Sequence, residues 1–184
     1  MRRRDFMRLA TGGLLAACTD SLFAAELPDF WNQPRSLWIK AQHPITKHWE
    51  EVNVVYFSDG QIQRPGYDAL CHLMRDMREN VSAPMSQTTL DILYGMQHWF
   101  AVHEQRRAII LDSGLRTPRT NQLVGGKDES KHLTAEAADV RFDPFVPVKY
   151  MGLLAMHIRA GGVGFYPTRG FVHVDDGSIR TWVD

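Results

Sequence analysis

The last third of the chain restricts the fold most. Val163 to Tyr166, Phe171 to Val174 and Ile179 to Val183 are short apolar runs with Gly-containing turns between them. Such runs read as β-strands. Leu37 to Ala41 and Val52 to Phe57 read as two more, joined by a polar turn region and followed by the turn Ser58-Asp59-Gly60. Ala108 to Leu111 is a continuous apolar run of the kind covered on both faces, and Ala135 to Phe142 ends in a strand. Helical spacing appears in Tyr67 to Glu79, where Leu70, Leu73, Met74 and Met77 recur. It appears again from about Gln87 to Glu104, capped by Thr88 or Ser86, and from Val148 to Ala160, closed by Gly161-Gly162. Strands cluster late, with helices early and between them. The pattern is α+β, with a small antiparallel sheet and flanking helices, and not alternating βαβ. Gly125-Gly126 follows no suitable strand, so no phosphate-binding glycine loop is present.

The first 25 residues have another character. Arg2, Arg3, Arg4 and Arg8 precede the apolar stretch Leu9 to Ala17, and Phe23-Ala24-Ala25 offers small residues for cleavage. The run Arg3-Arg4-Asp5-Phe6-Met7-Arg8 resembles a twin-arginine export signal. We therefore expect an export signal over 1–25, one domain over 26–184, and a periplasmic or otherwise exported protein. Leu15-Ala16-Ala17-Cys18 also fits a lipoprotein box, which would make Cys18 a lipid-anchored N-terminus instead. In either case Cys71 is left alone, and its place on a helical apolar stripe predicts a buried thiol with no disulfide. Lys plus Arg and Asp plus Glu number 21 each, so no bulk charge draws the chain to nucleic acid. Beyond Glu26 no uncharged stretch is long enough to span a bilayer.

The chemistry concentrates in Ser130-Lys131-His132-Leu133-Thr134-Ala135-Glu136-Ala137-Ala138-Asp139 and Phe171-Val172-His173-Val174-Asp175. A hydrolytic zinc site needs about three nitrogen or oxygen ligands and an open position for water. Along one helix His132 and Asp139 would stand roughly 10 Å apart, so a common metal requires a loop-to-strand arrangement. His173 falls mid-strand, with Phe171 and Asp175 on the same face by alternation. A His and an Asp seven residues apart are a weak signal by themselves. The third ligand and the upstream Ser113-Gly114-Leu115-Arg116 strengthen it.

Together these residues resemble the zinc D,D- and L,D-peptidase family. That family includes D-alanyl-D-alanine carboxypeptidases and VanX-type dipeptidases, and shares the Hedgehog/DD-peptidase fold. Its pattern of Ser-Gly-x-Arg-Ser, then Ser-x-His-x-x-Gly-x-Ala-x-Asp, then a late His appears as Ser113 to Thr117, Ser130 to Asp139, and His173. Gly161-Gly162-Val163-Gly164-Phe165-Tyr166-Pro167, Phe171 to Gly177 and Arg180-x-Trp182 resemble the murein endopeptidase K group. The resemblance implies zinc held by His132, Asp139 and His173, with Arg116 and Ser130 binding substrate. Arg116 suits a carboxylate because its planar fork offers two donors; a surface ion pair is its plainer reading. Ser130 either binds substrate, orients a ligand, or caps a turn. The implied reaction is hydrolysis of an amide in a peptidoglycan stem or cross-link. Carboxypeptidase action and zinc-containing peptidoglycan binding without turnover are the alternatives. Two departures stand out. Ala135 replaces the family glycine, which matters if the backbone there needs positive φ. Gly170 and Phe171 stand where many relatives carry a catalytic base, leaving Asp175 either as the catalytic base or as the partner that holds the His173 ring.

Overall fold

The computed structural model describes residues 33–184. The expected export segment and Cys18 lie outside the described residues. β1 (Arg35–Gln42) and β2 (Trp49–Ser58) form the expected hairpin, paired antiparallel from Leu37↔Val54 to Gln42↔Trp49. Leu37, Ile39 and Ala41 point into the core from β1 while their neighbours stay partly wet, as a period of two requires. The two-residue β3 (Gln61–Ile62) extends this edge.

Helix α1 (Arg64–Leu73) starts earlier and ends earlier than the apolar spacing predicts. Pro65 sits in its first turn, where a missing N–H costs nothing. It stops at Leu73 because the next residues have other partners. The Met74 carbonyl accepts from Leu115 N–H at 2.8 Å. The buried Asp76 carboxylate accepts from the N–H groups of Arg78, Glu79 and Thr117. Residues 74–81 therefore fold as a loop that braces the 113–117 segment. Cys71 is the expected buried free thiol.

Helix α2 (Gln87–Val102) takes Ser86 as its cap, the Oγ accepting from Thr89 N–H at 3.4 Å. β4 (Ala108–Ser113), α3 (Pro118–Leu123), a 3-10 turn at Lys131–Thr134 and β5 (Ala137–Asp143) follow. Then come α4 (Val148–Ile158), β6 (Gly162–Tyr166), β7 (Phe171–Asp175) and β8 (Arg180–Val183). The glycine pair expected to cap α4 does not do so. Arg159 takes the left-handed conformation at φ 57°, and Gly162 already belongs to β6.

The class is α+β, but the sheet is not small and antiparallel. All eight strands of the described residues join in the order β3-β2-β1-β4-β5-β7-β6-β8, and the β1–β4 and β6–β8 pairs are parallel. Parallel neighbours need a long crossover. β1 reaches β4 through β2, β3, α1 and α2, and β6 reaches β8 through β7. Helices α2 and α4 pack together against the sheet, burying Leu90, Leu93, Met96 and Met151 with Ile39 and Val174. No helix among the described residues is long and apolar enough to cross a membrane.

Candidate metal centre

β5 and β7 lie side by side, and their register sets Asp139 opposite His173. His132 arrives from the 3-10 turn that precedes β5. That turn is closed by Ala135 at φ 59°, ψ 31°, so the position where relatives carry glycine does adopt a left-handed backbone. Its Ala keeps the turn and leaves the chain with modest strain.

The three side chains are almost sealed, at 2%, 5% and 8% exposure for His132, Asp139 and His173. His132 Nε2 stands 3.2 Å from Asp139 Oδ1 and 3.2 Å from His173 Nδ1, and His173 Nδ1 stands 2.9 Å from Asp139 Oδ1. Three donor atoms thus converge within one small triangle.

The far side of each ring decides what the triangle can hold. His132 Nδ1 is 2.6 Å from the Gly114 carbonyl, which can only accept, so Nδ1 carries the proton. His173 Nε2 is 3.0 Å from Asp175 Oδ2, so in the neutral ring Nε2 carries it. Both neutral imidazoles then direct a lone pair at the same point as a carboxylate oxygen. Three acceptors with no proton between them fit a cation. Ligands about 2.0–2.1 Å from a tetrahedral zinc are themselves about 3.3–3.4 Å apart, close to the spacing found. The donor set of two nitrogens and one oxygen suits zinc and leaves a position open.

Before any cation enters, burial alone would raise the Asp139 carboxyl, but the charge and hydrogen bonds that His132 and His173 offer when protonated hold it well below the usual carboxylate range. Burial likewise opposes charge on His173, yet its bonds to Asp139 and Asp175 raise it. For Asp175, burial is outweighed by bonds from His173, Arg180 and the Gly177 N–H, and the carboxyl titrates below its ordinary value.

The structure places the other expected residues more finely than the sequence allowed. Asp175 is fully buried and bonds to His173 on the side of the ring away from Asp139 and His132. Arg116 donates from Nη2 to Asp139 Oδ2 and from Nε to Ser113 Oγ at 2.8 Å, while its own N–H binds the His132 carbonyl at 2.9 Å. One donor of its guanidinium is therefore engaged with the site's carboxylate and another with Ser113. Ser130 opens the 3-10 turn without a side-chain cap bond and lines the groove. The role of Gly114 was not read in advance, because a backbone carbonyl leaves no trace in residue type. The signal available was the tight Ser113-Gly114 step.

Two cavities meet at this centre. One, of about 290 Å³, runs past Lys127, Ser130, His173 and Trp182. The other, of about 250 Å³, runs past Arg75, Arg78, Asp112 and Ser113. Arg116, Asp139, Arg169 and Phe171 line both, so the groove continues to either side of Asp139.

Residues 31–182 match the family model described as peptidoglycan L,D-endopeptidase MepK. The chain is 35% identical over 120 residues to a probable peptidoglycan L,D-endopeptidase MepK of Haemophilus influenzae, a match covering 61% of this chain and 62% of that protein. It is 28% identical over 155 residues to the peptidoglycan L,D-endopeptidase MepK of Escherichia coli, covering 82% of this chain and 81% of the relative.

Proposed function

Because the chain belongs to the family of peptidoglycan L,D-endopeptidase MepK, we propose that it is a zinc-dependent murein endopeptidase that hydrolyses amide bonds in peptidoglycan cross-links during cell-wall remodelling. The observation that carries the zinc is the convergence of His132 Nε2, His173 Nδ1 and Asp139 Oδ1, with both tautomers fixed from behind. Zinc bound there would polarise the scissile carbonyl and lower the pKa of its water toward neutrality.

The protein's own residues supply positioning. The Gly114 carbonyl and Asp175 fix the two imidazoles, and we read Asp175 as the holder of His173 and not as the base. Arg116 occupies Asp139 Oδ2, which favours attachment through Oδ1 alone, and it also lines both arms of the groove. From there its positive charge meets a substrate carboxylate or a developing oxyanion. Ser130 lies along the same wall as a polar contact for the stem peptide. A groove that continues on both sides of Asp139 favours an endopeptidase over a carboxypeptidase, which needs only one long arm. The open α+β sheet with these residues on neighbouring strands supports a Hedgehog/DD-peptidase-type fold. A peptidoglycan substrate in turn supports export, which we assign to the twin-arginine-type segment 1–25.

Mass spectrometry of purified cross-linked muropeptides, after digestion with zinc-loaded protein, tests the reading. Endopeptidase action converts dimers to monomers. Loss of one terminal residue from intact stems would establish carboxypeptidase action instead, and an unchanged mixture would leave a binding domain.

A further inference from the structure

Arg180 on the edge strand β8 and Gly162 on the neighbouring β6 lie beside the buried Asp175. Strand β6 lies between β7 and β8, and Gly162 is registered with Asp175 on one side and Arg180 on the other. Arg180 reaches across β6 to Asp175, donating from Nη1 to Oδ1 at 3.0 Å and from Nη2 to Oδ2 at 2.7 Å. A Cβ on Gly162 would stand 2.5 Å from Arg180 Nη1 and 2.7 Å from Asp175 Oδ2. Only glycine leaves that passage open. The Gly162 N–H, at 3.3 Å, and the Gly177 N–H, at 2.8 Å, complete the shell around Oδ1.

We infer that Arg180 is a positioning residue for the metal centre, acting through Asp175 on the ring of His173. Asp175 is fully buried, and a buried carboxylate needs paired charge and hydrogen bonds. The guanidinium fork supplies both, and its two parallel bonds fix the plane of the carboxylate. With that plane fixed, Oδ2 faces His173 Nε2 and holds the ring so that Nδ1 faces Asp139 and His132. The side chain of Arg180 is itself 43% exposed, so it can be changed with little loss of core. The inference rests on the zinc reading above.

The test is zinc affinity of the folded protein, measured by chelator competition, beside the visible spectrum of the cobalt-substituted form. Arg180→Met should bind zinc roughly 10–100-fold more weakly and shift the cobalt bands, because the ring of His173 is no longer held. Arg180→Lys keeps the charge but not the fork and should fall between. Arg180→Met added to Asp175→Asn should change little further, since both act on one path. A residue that only pins β8 would lower the unfolding temperature and leave zinc affinity and cobalt spectrum as in the wild type; that result overturns the inference. If Arg180→Met fails to fold, wild-type affinity in Arg180→Lys overturns it equally. Wild-type protein that binds no metal would bring down the zinc reading itself, which is a separate outcome.

Discussion

Replacing Gly114 with Ala tests the centre through a residue with no side chain. An added Cβ would lie 2.3 Å from the Met74 carbonyl oxygen and 3.0 Å from its carbon. Ordinary contact lies near 3.5 Å, so the 113–116 segment must move by about 1 Å. That movement loosens Leu115 N–H to Met74 O and carries the Gly114 carbonyl away from His132 Nδ1. Overpacking costs about 1–3 kcal/mol and a loosened hydrogen bond about 0.5–1.5 kcal/mol. The expected destabilisation is about 2–4 kcal/mol, or a fall of roughly 5–15 °C in unfolding temperature for a domain of this size. His132 would lose the acceptor that keeps Nδ1 protonated, and zinc affinity should fall roughly 10–100-fold. Thermal unfolding of metal-free protein reads the first effect. Chelator competition, at a temperature where both proteins are folded, reads the second. A folded variant with wild-type zinc affinity would refute the claim that this carbonyl fixes the ring. Unchanged unfolding would refute the close approach.

His132→Ala, Asp139→Ala and His173→Ala should each reduce zinc from about one per chain to a trace, as elemental analysis would record; full occupancy in any one removes that residue from the site. Arg116→Lys should lower turnover of cross-linked muropeptides roughly ten- to hundredfold, with a smaller fall in zinc affinity because Asp139 Oδ2 loses its guanidinium donor. Wild-type turnover would reduce Arg116 to an ion-pair partner. Away from the site, Arg75 holds Glu50 through two bonds of 2.8 Å and lowers its pKa below 4.5. The folded value is depressed, so the pair's stabilisation, about 1 kcal/mol, is present above pH 4.5 and is lost as pH falls through the folded value. Urea unfolding should therefore separate wild type from Glu50→Gln at neutral pH and not in acid.

Local patterns were legible where the residues themselves carry them. The hairpin of β1 and β2 and the placement of His132 before a strand follow from residue type and period, while the cap of α2 was narrowed only to Thr88 or Ser86. The end of α1 was not legible, because the residues after Leu73 leave the helix in part for partners at Leu115 and Thr117, about forty residues on from Met74 and Asp76. The parallel pairings of β1 with β4 and β6 with β8 are equally non-local, and a strand's apolar pattern does not name its neighbour. At the site, the convergence of His132, Asp139 and His173 was readable because metal chemistry admits few residue types. The groups behind them were readable only in part. Asp175 was visible by alternation from His173, but its place behind the ring depends on which nitrogen faces Asp139. Arg116 could be matched to a motif, yet its contact with Asp139 required the fold.

The charges around the centre suggest what the open position prefers. Asp139 is matched by Arg116, and Asp175 by Arg180. With His132 and His173 neutral in their metal-binding form, these four charged side chains sum to zero before any cation enters. On the proposed zinc reading, a divalent ion held by two imidazoles and one carboxylate already paired with a guanidinium would keep most of its charge uncompensated. The remaining partner is therefore favoured to be an anion, whether hydroxide, a substrate carboxylate or the oxyanion that develops on the scissile carbonyl. On the proposed zinc reading both arginines would act on the reaction without being ligands. Arg180 would settle the geometry of His173, and Arg116 would limit how far Asp139 could neutralise the ion.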